Sequence, residues 1–333
     1  DGPFTFTTQK EYEELGDRIG EKVYEMMEEI GLERRYVETG KTRRFYFASP
    51  GFQEKERILV LIHGSGVVKA GQWARRLIIN ESLDRGTQLP YIKRGLANNW
   101  GIVVINYNEK CEGAKDRLQC HFSDEHGLAE WADAITDNVD AEIMVVAHSA
   151  GGDVASGAVR RMQLKGDFRV KVVTLTDSWF TESNSVFAVN FNTQKEQLNR
   201  NYSGTWQMYS GDDTHEGTSA ACINALFAVL EAVDDMTTTK EFLEILECSE
   251  EIIFKEYDKK DDKKKEGKDG KNEEKKKEEK SGDKKKEKET KKEEKKEVKK
   301  EKEKDKDKKE EKKEKEKEKD KSKEKEAPPA AQP

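Results

Sequence analysis

Val145-Val146-Ala147-His148-Ser149-Ala150-Gly151-Gly152 is the stretch on which the fold turns. An apolar run ends in a serine among small residues, and a helical pattern follows over 153–164. The Ala-His-Ser-Ala-Gly core is a relaxed form of the G-x-S-x-G nucleophile elbow, a tight strand-to-helix turn that lifts a serine Oγ above a sheet. Small neighbours such as Ala147 and Gly151 let backbones approach closely there. The amino terminus of the following helix then faces a developing oxyanion. The same serine also reads as a plain helix N-cap, so the rest of the chain must decide between the two.

Outward from this stretch, residues 58–62, 102–105, 143–147 and 170–175 are near-continuous apolar runs, the mark of strands buried on both faces. Arg44-Phe45-Tyr46-Phe47 reads as an edge strand and Trp206-Gln207-Met208-Tyr209 as a weaker sixth. Helical patterns cover 125–139, 153–164 and 218–233. An opening helix starts at the capping-box spacing Thr8-Gln9-Lys10-Glu11 and stops at Gly31, with Tyr12, Leu15, Ile19, Val23, Met26 and Ile30 in one apolar stripe. Strands alternating with helices in this way predict an α/β fold: a mostly parallel sheet with helices on both faces, α/β-hydrolase-like. Functional residues of such sheets sit in loops at the carboxyl ends of the strands.

Two further loops carry chemistry. His63-Gly64-Ser65-Gly66 follows the 58–62 strand, where an H-G-G-type loop supplies an oxyanion N–H in hydrolases of this architecture. Ser65 and Gly66 are the donor candidates, with Ala150 beside the nucleophile. A ligand-free glycine-rich turn is the competing reading, and no Gly-Lys-Ser/Thr follows to make it a P-loop. Of five histidines, His215 alone lies downstream of Ser149. α/β-hydrolases run Ser, then acid, then His. The best acid between them is Asp177, at the end of the 170–175 strand, with Asp212 and Asp213 as runners-up and Asp153 on the helix after the elbow. The predicted constellation is therefore Ser149 as nucleophile, His215 as base and Asp177 as orienting acid, for ester, thioester or amide hydrolysis without metal or cofactor.

Composition divides the chain. Of 62 basic and 69 acidic residues, 32 and 26 lie between Asp261 and Pro333, so that tail carries +6 and the first 260 residues carry −13. The tail holds one large aliphatic residue, Val298, too few to offset the entropy of ordering it. Disorder is the preferred expectation, with a solvated single helix as the alternative. The expected organisation is an N-terminal helix and edge strand over 1–50 docking on the core, the hydrolase-like domain over 51–257, and the Lys/Glu-rich tail over 258–333. No apolar run approaches the roughly 18 residues that span a bilayer. Interleaved Glu cancels much of the tail's field, which argues against direct nucleic-acid binding. Four scattered cysteines without a C-x-x-C pair argue against a disulfide framework or a structural zinc, and leave the pairing of Cys111 and Cys120 open.

The stretch 61–80, Leu-Ile-His-Gly-Ser-Gly-Val-Val-Lys-Ala-Gly-Gln-Trp-Ala-Arg-Arg-Leu-Ile-Ile-Asn, continues through Gly86-Thr87-Gln88-Leu89-Pro90-Tyr91. With Ala147-His148-Ser149, Leu175-Thr176-Asp177-Ser178 and Thr214-His215-Glu216, it resembles the argonaute-binding-protein-2 (Arb-two) domain family, in its animal branch of cotranscriptional regulators. The resemblance runs from about Phe4 to Ala232. It implies a protein-interaction factor of the nucleus and cytoplasm, on an α/β-hydrolase fold, acting in argonaute-linked silencing and chromatin-coupled alternative splicing. Argonaute and chromatin-associated proteins are the implied partners, and Ser149, Asp177 and His215 the implied site. The chain opens on Asp1 rather than Met, as a fragment or a processed chain does, which leaves passage through the endoplasmic reticulum open. Within the same stretch, Trp73 and Leu77 read as inward-packing members of an amphipathic turn. Arg75 and Arg76 read either as part of that turn or as ligands for a carboxylate or phosphate.

Overall fold

The computed structural model describes residues 8–39, 42–109, 124–136, 139–181, 186–195, 198–200 and 204–256. Cys111, Cys120, His121 and the tail from Asp258 lie outside the described residues.

In chain order the strands are β1 (Glu33–Thr39), β2 (Thr42–Ala48), β3 (Arg57–Ile62), β4 (Gly101–Ile105), β5 (Glu142–His148), β6 (Val170–Thr176), β7 (Phe187–Asn192), β8 (Asn199–Arg200) and β9 (Trp206–Tyr209). The helices are α1 (Gln9–Glu29), α2 (Arg75–Asn80), α3 (Leu83–Gly86), α4 (Leu89–Ala97), α5 (Asp124–Trp131), α6 (Gly151–Leu164), α7 (Thr218–Ala221) and α8 (Ile223–Glu231). A ninth, α9, covers 239–256. Its start is a capping box, with Thr238 Oγ1 accepting from the Glu241 N–H and the Glu241 carboxylate accepting from the Thr238 N–H.

All nine strands form one sheet in the order β1-β2-β4-β3-β5-β6-β7-β9-β8. The strands from β4 to β9 in that order run parallel; β1–β2, β2–β4 and β8–β9 are antiparallel. This is the predicted α/β-hydrolase-like architecture. The apolar runs are continuous because the sheet is covered on both sides: Met144 and Val146 face a core shared with α1, α4 and α8, while Ile143, Val145 and Ala147 face one shared with α5 and α6. The chain leaves β3 for β4 on one side and returns to β5 on the other. Strand order therefore reverses at β3, and a crevice opens beyond the carboxyl ends of β3 and β5, where ligands of such sheets bind.

Four expectations need correction. The segment 44–47 is no edge strand: β2 pairs with both β1 and β4, and the more polar β1 takes the edge. Along α1 the buried line is Gly16, Gly20, Val23, Tyr24 and Met27, rotated from the expected stripe, of which Val23 alone is fully buried. Two of those buried positions are glycines, which add no apolar signal yet let the helix come close. The helix expected over 125–139 gives way after Trp131 to a π-helical turn, Ala132–Thr136. The one expected over 218–233 breaks at Cys222 into α7 and α8. The capping of α1 by Thr8 Oγ1 on the Glu11 N–H and the left-handed Gly31 (φ 103°) are as expected.

Candidate active site

Ser149 stands in the turn between β5 and α6 with φ 51°. A side chain in the left-handed region is strained, and such strain gathers at functional turns. Asp177, just past β6, has φ 45°; Asn99 is the third non-glycine residue of positive φ among those described. Two of three strained backbones thus belong to predicted site residues.

Glycines make the elbow. A Cβ on Gly151 would stand 2.7 Å from the carbonyl oxygen of His63, and one on Gly64 would stand 3.0 Å from the Cβ of Ser149. The loop after β3 is therefore pressed against the turn after β5. Asn108 braces that loop, its Nδ2 donating to the carbonyls of Gly64 (3.0 Å) and Val68 (2.9 Å). Ala150 precedes α6; at the start of that helix the Gly152 and Asp153 N–H groups donate back to the Ser149 and Ala150 carbonyls, each at 3.1 Å, and no side chain caps it.

His215 begins a short 3-10 turn after β9, and its Nδ1 donates to Asp177 Oδ2 at 2.6 Å. The runners-up are engaged elsewhere. Asp212 accepts from the Thr214 N–H (2.9 Å) and from Arg85 (2.6 Å), which shapes the loop that delivers His215. Asp213 pairs with Lys195 at 2.9 Å, and Asp153 accepts from the Trp179 indole. The hydrogen bond to Asp177 raises the His215 pKa above its ordinary 6.5, against the opposing effect of partial burial.

Ser149, His215, Ser65 and Gly66 line one cleft of about 370 Å³. Ser149 Oγ makes no hydrogen bond to His215 among the described residues. In unliganded enzymes this contact is often long and tightens on binding. Tyr12 of α1 lines the same cleft, a placement its position in an apolar stripe did not signal.

Sequence reasoning also missed His148. Side chains alternate along a strand, so with Ala147 facing α6 its neighbour must face the opposite way. There His148 is buried, its Nδ1–H donating to the Thr176 carbonyl at 2.8 Å, with its ring 4.7 Å from that of His215. Burial, and next the charge on His215, lower its pKa to about 4. His63, stacked on Tyr107 at 4.6 Å, is likewise lowered to about 4 by burial. Both imidazoles are neutral supports near pH 7. Among the described residues no cluster of His, Cys, Asp and Glu has the geometry of a metal site.

A strained serine between a central strand and its helix, at the crevice where strand order reverses and opposite a His–Asp pair, defines a protein of the α/β-hydrolase fold. The Arb2 domain matches residues 3–121. A FAM172 family protein homolog of Caenorhabditis elegans is 37% identical over 281 residues, covering 78% of this chain and 88% of that one. The cotranscriptional regulator ARB2A homolog of Xenopus tropicalis is 29% identical over 306 residues, covering 70% and 72%. The chain belongs to the Arb2 domain family. Among solved structures, the thioesterase domain from the curacin biosynthetic pathway is similar at 16% identity and TM-score 0.30, covering 46% of this chain and 49% of that one. That likeness is too remote to say what this chain does.

Proposed function

We propose that this chain is a nuclear regulator that acts by binding proteins, with argonaute- and chromatin-associated proteins as partners in silencing and alternative splicing. The observation that carries this reading is its likeness to a relative named a cotranscriptional regulator, over 70% of its length. The domain over 51–257 would supply the binding surface, with the segment 1–50 as its flank. Among the described residues no helix is long and apolar enough to cross a membrane.

A second reading is favoured by a specific observation, the 2.6 Å bond from His215 to Asp177 beneath a strained Ser149. In this hypothesis the chain is a serine hydrolase. Ser149 Oγ attacks a carbonyl carbon while His215 Nε2 takes the hydroxyl proton and passes it to the leaving group as the old ester, thioester or amide bond breaks. Asp177 holds the tautomer that leaves Nε2 free, and N–H groups of Ser65, Gly66 and Ala150 receive the oxyanion. Water then releases the acyl group by the same route.

One pair of measurements separates the readings. A hydrolase is labelled by a fluorophosphonate at Ser149, with no label in Ser149→Ala; a folded wild type that stays unlabelled ends that reading. A binding protein still retains argonaute in co-precipitation when Ser149→Ala is introduced. Loss of a nuclear partner set in the wild type would end the first.

A further inference from the structure

Arg75 and Arg76 are adjacent in sequence at the start of α2, yet their environments differ. Arg76 is half-exposed and pairs with Glu216. Arg75 is only 7% exposed. It fits because α1 offers a glycine where it passes: a Cβ on Gly16 would overlap the guanidinium. Nη2 donates to the Val67 carbonyl at 2.9 Å, while Nε is buried without a partner. Among the described residues no carboxylate pairs with Arg75.

A guanidinium carries five donors and stays charged at any ordinary pH. Withdrawing such a charge from water without a counter-ion is expensive. A neutral side chain would tie α2 to Val67 at lower cost, so a tethering role does not account for the charge. Arg75 lines the same cleft as Ser149 and His215. At about 370 Å³ that cleft has room for roughly a dozen water-sized groups, the scale of a small ligand.

We propose that Arg75 is an anion-binding residue of this cleft, and that the ligand carries a carboxylate or phosphate within reach of the carbonyl offered to Ser149. The planar guanidinium fork suits either oxyanion. The substrate half of this inference rests on the hydrolase reading; the anion site stands without it.

The test uses the full chain. Sodium succinate and inorganic phosphate are titrated calorimetrically at constant ionic strength into wild type, Arg75→Met, Arg75→Lys and Gly16→Ala. Wild type is expected to bind one of the two anions, and the arm that binds names the source. Affinity is expected to fall at least about tenfold in Arg75→Met and in Gly16→Ala, which keeps the arginine but displaces its head, and less in Arg75→Lys. If Arg75→Met does not fold, Gly16→Ala and Arg75→Lys carry the comparison. No binding by wild type, or equal binding by all four, overturns the anion site. In parallel, kcat/KM is compared for p-nitrophenyl acetate and mono-p-nitrophenyl succinate. A preference for the succinyl ester that vanishes in Gly16→Ala supports the substrate class. Arg75-dependent anion binding without any hydrolysis retires the hydrolase reading alone; hydrolysis with no succinyl preference and no anion binding retires the anion site alone.

Discussion

His215 Nδ1 donates to Asp177 Oδ2 across 2.6 Å, although the two residues are 38 positions apart and follow strands that are not neighbours in the sheet. β7 lies between β6 and β9, so the pair closes a bridge over its carboxyl end. The hydrogen bond to Asp177 raises the pKa of His215, burial opposes it, and the carboxylate charge adds to the rise. A raised histidine stabilises the fold below its unfolded value of 6.5 and loses that contribution as pH climbs through the folded value. The NMR titration midpoint of His215 is expected above 6.5 in the wild type. In Asp177→Asn, where burial persists without the carboxylate, it is expected at or below 6.5. An unchanged midpoint in the variant would mean that the pair does not form in solution.

His148 and His63 titrate with the opposite sign. Both are buried and held near pKa 4, chiefly by desolvation. The unfolded chain takes up these protons near pH 6.5 and the folded chain refuses them until about pH 4, so stability is complete above 6.5 and drains away below it. Each such group contributes about 1.4 kcal/mol per pH unit across that window. Urea unfolding of the wild type and His148→Asn between pH 6.5 and 4.5 should differ in slope by about that amount. Proton uptake by other groups is common to both proteins and cancels.

Much of this site is legible in the sequence because its parts are local. The elbow is one octapeptide, and the order Ser149, Asp177, His215 is a chain property. The strands around it announce themselves through runs such as 58–62, buried on two faces. What escapes is set by tertiary partners. β7 escapes because Asn190 and Asn192 interrupt its apolar pattern; both are buried and donate their amides to Gln207, a polar ladder inside the sheet. β1 escapes because Glu33, Arg35 and Glu38 read as loop, although an edge strand tolerates charge. The fates of Arg75 and Arg76 cannot be told apart without Gly16, which lies some sixty positions upstream.

A buried ion pair braces the strand beside the cleft. Arg44 of β2 and Glu130 of α5 meet at 3.3 Å, both almost wholly buried, and Glu130 also accepts from the Asn106 N–H at 2.6 Å at the end of β4. Desolvation raises the Glu130 pKa to about 7, with Arg44 pulling it down. Removing one partner leaves the other charge stranded, at a cost of about 3–5 kcal/mol. Glu130→Ala is expected to lower the urea-derived stability by that amount. The double variant Arg44→Met with Glu130→Leu is expected to recover most of it, since matched apolar groups replace buried pairs at little cost. A double variant no more stable than the single one would show that the pair's other hydrogen bonds, to Tyr107 and Asn106, dominate.

Gly152 is where the elbow and the acid are locked together. A Cβ there would overlap the Trp179 carbonyl and the Ser178 hydroxyl, and that hydroxyl already donates to the Ser149 carbonyl. Backbone cannot yield as a flexible side-chain end does, so Gly152→Ala must push away the loop that carries Asp177. Overpacking of this kind costs about 1–3 kcal/mol. The larger consequence is geometric: the His215 titration midpoint should fall back toward 6.5 although neither His215 nor Asp177 is altered. Gly157→Ala, on the same helix, is the control. Its Cβ would meet only the Leu128 side chain, at 3.2 Å, and the gain in helix propensity of up to about 1 kcal/mol offsets the crowding. Its stability and its His215 midpoint should match the wild type. If Gly152→Ala lowers stability yet leaves that midpoint in place, the elbow does not position the acid.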